Sequence, residues 1–226
     1  MRVPKNIEDV ASALRAEYLD FDHFNLADPI DELLFIICSQ KTTEITYRDT
    51  FRKLRASFPT NHSLYRASEQ ELVAVFKRSG LAYRKAKAIR LVISRIVQDV
   101  GLPTLDLFKA VSNSELEAYL VSLPGVGKKI ARCVMLYSFG RQVFPTDSHC
   151  WRIARRLGWV RPTRRDKRCS PRDMDRIQAK IPSELRFSLH VNMVSHGRKV
   201  CLARKPLCSR CVILQYCRRV GVRESG

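Results

Sequence analysis

Leu123-Pro124-Gly125-Val126-Gly127-Lys128-Lys129 stands between two stretches of helical periodicity. Two glycines two positions apart allow left-handed backbone angles and the close approach of another backbone. Val126, between them, is the residue to pack such a turn. The glycine amides, with the first turn of the helix that follows, make an anion nest at the positive end of a helix dipole. A backbone phosphate fits there without any base being read. The same residues also suit a plain tight turn between helices. The basic pair Lys128-Lys129 and the charge of the whole chain favour the phosphate.

Outward from the turn, period 3.6 dominates and strand-like alternation is scarce. Ile7, Val10, Leu14 and Tyr18 mark one face of a first helix. Asp28-Pro29 is a cap with proline at the first helical position, opening a helix over 30–39. Another runs over 45–58 and stops before Pro59. Ser68 and Glu71 form a capping box for 72–77, with Gly80 as the stop. Further helices are expected over 84–100, closed by Gly101, then 115–121 and 128–139. Asp147 caps the next, ending at Gly158. Ser170-Pro171 opens one more, and Pro182-Ser183 precedes the last, which runs to Lys199. The pattern predicts an all-α chain of roughly ten helices, without repeats or low-complexity tracts. The arginine-rich stretch 161–172 reads as a surface loop.

The 226 residues carry 41 Lys and Arg against 22 Asp and Glu, a net charge of +19. Residues 150–226 hold 20 of the basic and five of the acidic side chains, so +15 sits in the last third. A field of that sign implies a polyanionic partner, nucleic acid foremost. The longest strongly apolar run, Leu33-Leu34-Phe35-Ile36-Ile37-Cys38, is far short of the roughly 20 residues a membrane span needs. No apolar leader follows Met1, so a cytoplasmic protein is expected, near the nucleoid if prokaryotic.

Of eight cysteines, Cys38, Cys133, Cys150 and Cys169 stand alone, whereas Cys201, Cys208, Cys211 and Cys217 crowd into 17 residues. In a reducing compartment such a cluster points to metal rather than disulfides. Four thiolates in one loop suit an all-cysteine zinc site or a cuboidal iron–sulfur cluster.

Lys129 lies in the first turn of its helix with Lys128 beside it and Arg132 at i+3. Like charges and the helix N-terminus both disfavour the ammonium form, which makes Lys129 a candidate amine nucleophile. Asp147 follows 18 residues later. A helix over 128–139 rises roughly 18 Å, and the loop 140–146 spans up to about 20 Å, so Asp147 can return to the lysine. Asp147 also suits an ordinary helix cap.

Together these residues resemble the endonuclease III branch of the helix–hairpin–helix DNA glycosylases. The matching stretches are the hairpin from Leu123 to Lys129, Asp147-Ser148-His149, and His196 through Cys201, Cys208 and Cys211 to Cys217. The likeness extends from about Pro29 to Cys217, and its cysteine spacing implies a 4Fe-4S cluster. It implies two helical domains, a six-helix one over 23–133 and an iron–sulfur one over 1–22 and 134–226, with the cluster loop at 201–217. DNA is expected across the groove between them.

The resemblance further implies a bifunctional enzyme that removes damaged, oxidised pyrimidines and cleaves the strand as an AP lyase. Lys129 would be the nucleophile and Asp147 its carboxylate partner. Gln40 would fill the gap left by a flipped nucleotide, and Leu81 would wedge into the stack. Gly125, Val126, Gly127 and Lys128 would hold phosphate. The partner would be double-stranded DNA with damaged bases or abasic sites, bound by a monomer. The adenine-removing branch is set aside, because it lacks the lysine and carries a further C-terminal domain. Lys41, Ile130, Arg132 and Ser148 depart from common family residues. Lys41 and Arg132 keep open a lesion- or mismatch-specific enzyme of the same fold. A non-catalytic DNA-binding module is the other alternative.

Overall fold

The computed structural model describes residues 3–77, 81–160 and 169–223. Gly80 and most of the arginine-rich stretch, 161–168, lie outside the described residues. Among the described residues there is no strand, and eleven α-helices account for the fold. The helices are α1 (Ile7–Tyr18), α2 (Pro29–Ser39), α3 (Glu44–Ser57), α4 (Asn61–Arg66), α5 (Glu69–Phe76) and α6 (Ala82–Val100). They continue as α7 (Asn113–Ser122), α8 (Lys128–Tyr137), α9 (Ser148–Leu157), α10 (Pro171–Gln178) and α11 (Arg186–Lys199). No helix among the described residues is long and apolar enough to cross a membrane.

The helix starts follow local hydrogen bonding. Asp28, Thr43, Ser68, Asp147 and Ser170 each accept a backbone N–H of their own first turn, which satisfies a donor that no helical carbonyl reaches. Ser68 and Ser170 complete reciprocal boxes with Glu71 and Asp173. Gly101 and Gly158 close α6 and α9 in the left-handed conformation, at φ +81° and +79°. The sequence pattern shows no helix at α4, which is six residues long and opens with Thr60 boxed to Ser63. Ser170-Pro171 opens α10 as the pattern predicts, which places Arg172, the end of the expected surface loop, in the first turn of that helix.

The chain divides into two compact units. One is continuous, Asn25–Arg141, and contains α2–α8. Its core is built from Leu33, Leu34, Cys38, Leu54, Phe76, Ile89, Ile93, Leu116, Leu120 and Val134, all buried. The other joins the residues up to Phe24 to those from Gln142 onward. There α1 buries Ile7, Val10, Leu14 and Tyr18 against Trp151, Leu157, Leu189 and Met193 of α9 and α11. The Tyr18 hydroxyl meets His196 Nδ1 at 2.9 Å. The resemblance places a domain boundary at 133, but α8 continues to Tyr137. Arg141 Nη2 then donates to the carbonyls of Lys109 and Val111, at 2.7 and 3.0 Å, and the crossing falls after Arg141.

Candidate functional site

In the continuous unit the glycine turn joins α7 to α8. Leu123 ends α7, and Val126 N–H donates to Leu123 C=O at 3.1 Å. Val126 is 4% exposed and packs the turn as expected. Gly125 has φ +75°, a conformation that strains any residue with a Cβ. Gly127 differs, with φ −89° and ψ 168° as the N-cap of α8. A Cβ built on it meets nothing within 4 Å. The fold itself makes no demand for glycine at 127. Gly127 also brings no side chain to cap the first turn of α8.

The two lysines that follow have different surroundings. Lys128 Nζ lies 3.2 Å from Glu117 Oε1 on α7. Arg132 Nε donates to Glu117 Oε2 at 2.6 Å, and the Arg132 side chain is only 3% exposed. The sequence reading put Arg132 beside Lys129 as a like charge. Arg132 is instead buried and neutralised across the turn by a carboxylate 15 positions earlier. Lys129, half-buried, acts electrostatically on Glu32 of α2.

Glu32 is the group that sequence reasoning missed. It is fully buried, in a helix otherwise filled by Leu33, Leu34 and Ile36. Its Oε1 accepts from Asn25 Nδ2 at 2.5 Å and its Oε2 from Leu26 N–H at 2.8 Å. Burial pushes the carboxyl up to about 7, against the pull of those two hydrogen bonds and of Lys129. The signal was an acidic residue at an inward position of an apolar run.

Gln40 is the exposed C-cap of α2, and Lys41 after it is exposed at φ +50°. Leu81 is the N-cap of α6, at φ +54° and 41% exposed. Lys85, one turn into α6, is 2% exposed, and its Nζ donates to the Cys38 carbonyl of α2 at 2.8 Å. Thus Gln40, Leu81 and the glycine turn with Lys128 and Lys129 all belong to one unit.

Asp147 belongs to the other unit. It caps α9, Oδ1 accepting from Cys150 N–H at 2.8 Å. His149, two residues on, packs against Gly197 so closely that a Cβ there would lie 2.6 Å from His149 Cβ. Burial holds the His149 imidazole below its usual range, and the charge of Asp147 opposes this. Arg152 locks the region, donating to the carbonyls of Cys201 and Gly197 at 2.8 and 2.9 Å and lying 3.1 Å from His149 Nδ1. The start of α9 is thereby tied to the end of α11 and to the cysteine loop.

Cys201, Cys208, Cys211 and Cys217 are all half-buried and unbridged. Burial pushes the Cys211 thiol up to about 11, and the three other cysteines add to the rise. Burial pushes the Cys217 thiol up as well, and four neighbouring cysteines in one loop are the donor set that a polycation converts to thiolates. N–H donors surround the sulfurs. Arg156 Nη1 donates to Cys201 Sγ at 3.0 Å and Arg219 N–H to Cys217 Sγ at 3.4 Å. With its proton on Nε2, His196 takes a hydrogen bond from Tyr18 and faces Cys211 Sγ at 3.5 Å. Among the described residues no three Cys, His, Asp or Glu side chains converge as a single metal ion requires.

Comparison with known proteins agrees with this arrangement. Residues 34–177 match the HhH-GPD superfamily base excision DNA repair protein family, and residues 201–217 match the iron-sulfur binding domain of endonuclease III. The chain belongs to the HhH-GPD superfamily and is an endonuclease III-like base excision repair DNA glycosylase. Endonuclease III of Thermotoga maritima is 30% identical over 200 residues, 88% of this chain and 87% of that one. An Arabidopsis thaliana protein named as a DNA glycosylase is 31% identical over 182 residues, 80% of this chain. The chain spans only 58% of that plant relative's length. A trapped endonuclease III–DNA covalent intermediate superimposes with a TM-score of 0.76 at 25% identity, over 97% of both chains.

Proposed function

We propose that the protein is a bifunctional DNA glycosylase and AP lyase. Its substrate is duplex DNA carrying damaged pyrimidines, oxidised ones foremost, or abasic sites. The observation that carries this reading is Lys129, a half-buried lysine in the first turn of a helix entered through Gly125-Val126-Gly127. Its neutral amine attacks C1′ of the flipped nucleotide, and the glycosidic bond breaks with its electron pair leaving on the base. Asp147 steadies the positive charge that develops on the sugar and draws a proton from the amine. Opening of the C1′–O4′ bond gives a protonated Schiff base. Loss of a C2′ proton then expels the 3′ phosphate by β-elimination, and water releases the lysine.

The glycine turn holds a phosphate and positions the strand without reading bases. Gln40 fills the vacated space and Leu81 wedges the stack. Cys201, Cys208, Cys211 and Cys217 hold a 4Fe-4S cluster, which supplies structure to the basic loop that carries them. Borohydride trapping on an abasic duplex tests the reading. Wild type and Lys128→Gln give a covalent adduct, Lys129→Gln gives none, and Asp147→Asn slows base removal while folding normally. An adduct that survives Lys129→Gln overturns the assignment of the nucleophile. A wild type that never traps leaves a monofunctional or purely binding protein.

Lys41 favours a narrowed lesion range as a second reading, because it places an exposed cation directly after Gln40 in a left-handed conformation. Duplexes with thymine glycol, dihydrouracil, uracil and mismatched thymine, compared between wild type and Lys41→Ala, decide it.

A further inference from the structure

Two exposed residues of the continuous unit, Gln40 and Leu81, sit at the ends of different helices, yet one buried cation connects their turns. Leu81 starts α6 with a left-handed angle, and its carbonyl accepts Lys85 N–H at 3.0 Å. Lys85 turns inward and is 2% exposed. Its ammonium ends at the Cys38 carbonyl, 2.8 Å away, in the last turn of α2 and two residues before Gln40. A cation is favoured at that negative helix end. Removing an ammonium from water is costly, and the lysine is kept inside only because the surrounding structure holds it there. The connection therefore runs from Leu81 through one helical turn and one side chain to the α2 terminus that presents Gln40.

We propose that Lys85 is a positioning residue that holds the Gln40 and Leu81 turns in fixed register, so that the two side chains enter the duplex as one unit. This rests on the reading of Gln40 and Leu81 as the residues that invade the duplex. Separating stacked bases consumes binding energy, and a probe on a loose turn would fold aside instead. Leu81 at a strained angle and Gln40 beside a second strained residue, Lys41, are both held rather than relaxed.

The test is a double-mutant cycle on binding to a duplex carrying a tetrahydrofuran abasic analogue. 2-Aminopurine beside the analogue reports unstacking by fluorescence. In the wild-type background, Gln40→Ala and Leu81→Ala each weaken binding and lower the fluorescence rise, and the double variant loses little more. The expected coupling is a factor of about 5 or greater. Lys85→Met lowers the fluorescence rise on its own and keeps affinity for undamaged duplex within about 2-fold; in that background the two substitutions become additive. A wild-type coupling factor below about 2 overturns the proposal, and that cycle decides it even if Lys85→Met fails to fold. If neither single substitution changes binding or fluorescence, the underlying reading of Gln40 and Leu81 fails first and the proposal falls with it.

Discussion

Glu117 on α7 and Lys128 on α8 face each other across 3.2 Å, an ion pair that spans the glycine turn. The first lysine of the pair is thus charge-balanced within its own unit by a carboxylate that Arg132 shares.

Removing that carboxylate leaves Arg132 buried without its counter-charge. Glu117→Ala is expected to cost roughly 3 kcal/mol, the range for breaking a buried pair from one side. Lys128→Gln, at the more exposed edge of the network, should cost less than about 1 kcal/mol. Urea unfolding of both variants gives the comparison, and equal losses would show that Arg132 does not depend on Glu117.

Glu32 makes stability depend on pH in an unusual direction. Its folded carboxyl is raised from 4.5 to about 7, so the folded state binds the proton more tightly than the unfolded chain. Stability from this group is complete below pH 4.5 and falls as pH rises through 7, by roughly 3 kcal/mol in all. Glu32→Gln should flatten that segment of the profile. Urea midpoints at pH 5 and pH 8, for wild type and variant, read the difference directly.

The two glycines of the turn should separate by assay. Gly125→Ala places a Cβ on a φ of +75° and should destabilise by about 1 kcal/mol. Gly127→Ala meets open space, so its melting temperature should match wild type. Its affinity for every duplex should fall alike, because a phosphate contact carries no sequence information. Unchanged affinity in Gly127→Ala would remove the turn from the interface.

The cysteine loop should bind iron and give the purified protein a broad visible absorption. Cys211→Ala should lose that band and open the loop to protease, because ligand binding is also folding energy. Cys38→Ala, in the other unit, should retain it. Zinc without iron in metal analysis would contradict the 4Fe-4S assignment.

Helix caps were the most legible part of the chain. Asp28, Ser68, Asp147 and Ser170 bond to amides within three residues, so the sequence itself contains both partners. The cysteine spacing was legible for the same reason. α4 was not, because six residues are too few to display a period. Arg132 read as a like charge beside Lys129 because its partner lies across a turn, at a distance set by how α7 packs on α8. Glu32 was hidden by its apolar neighbours, which look like ordinary helix core. Whether the neighbourhood of a charge is wet or dry is a property of packing, and no local pattern records it.

Tyr18 and His196 meet across 178 positions of chain, which sets an order of events during synthesis. At about 5–20 residues per second, α1 leaves the ribosome roughly 10–40 seconds before its partner on α11 exists. The continuous unit, Asn25–Arg141, is one uninterrupted stretch of chain and can mature in that interval. The apolar stripe of α1 meanwhile has nothing of its own to cover it and is the segment a chaperone would hold. Closure of the cysteine loop, which needs Cys217, comes after every helix has been translated.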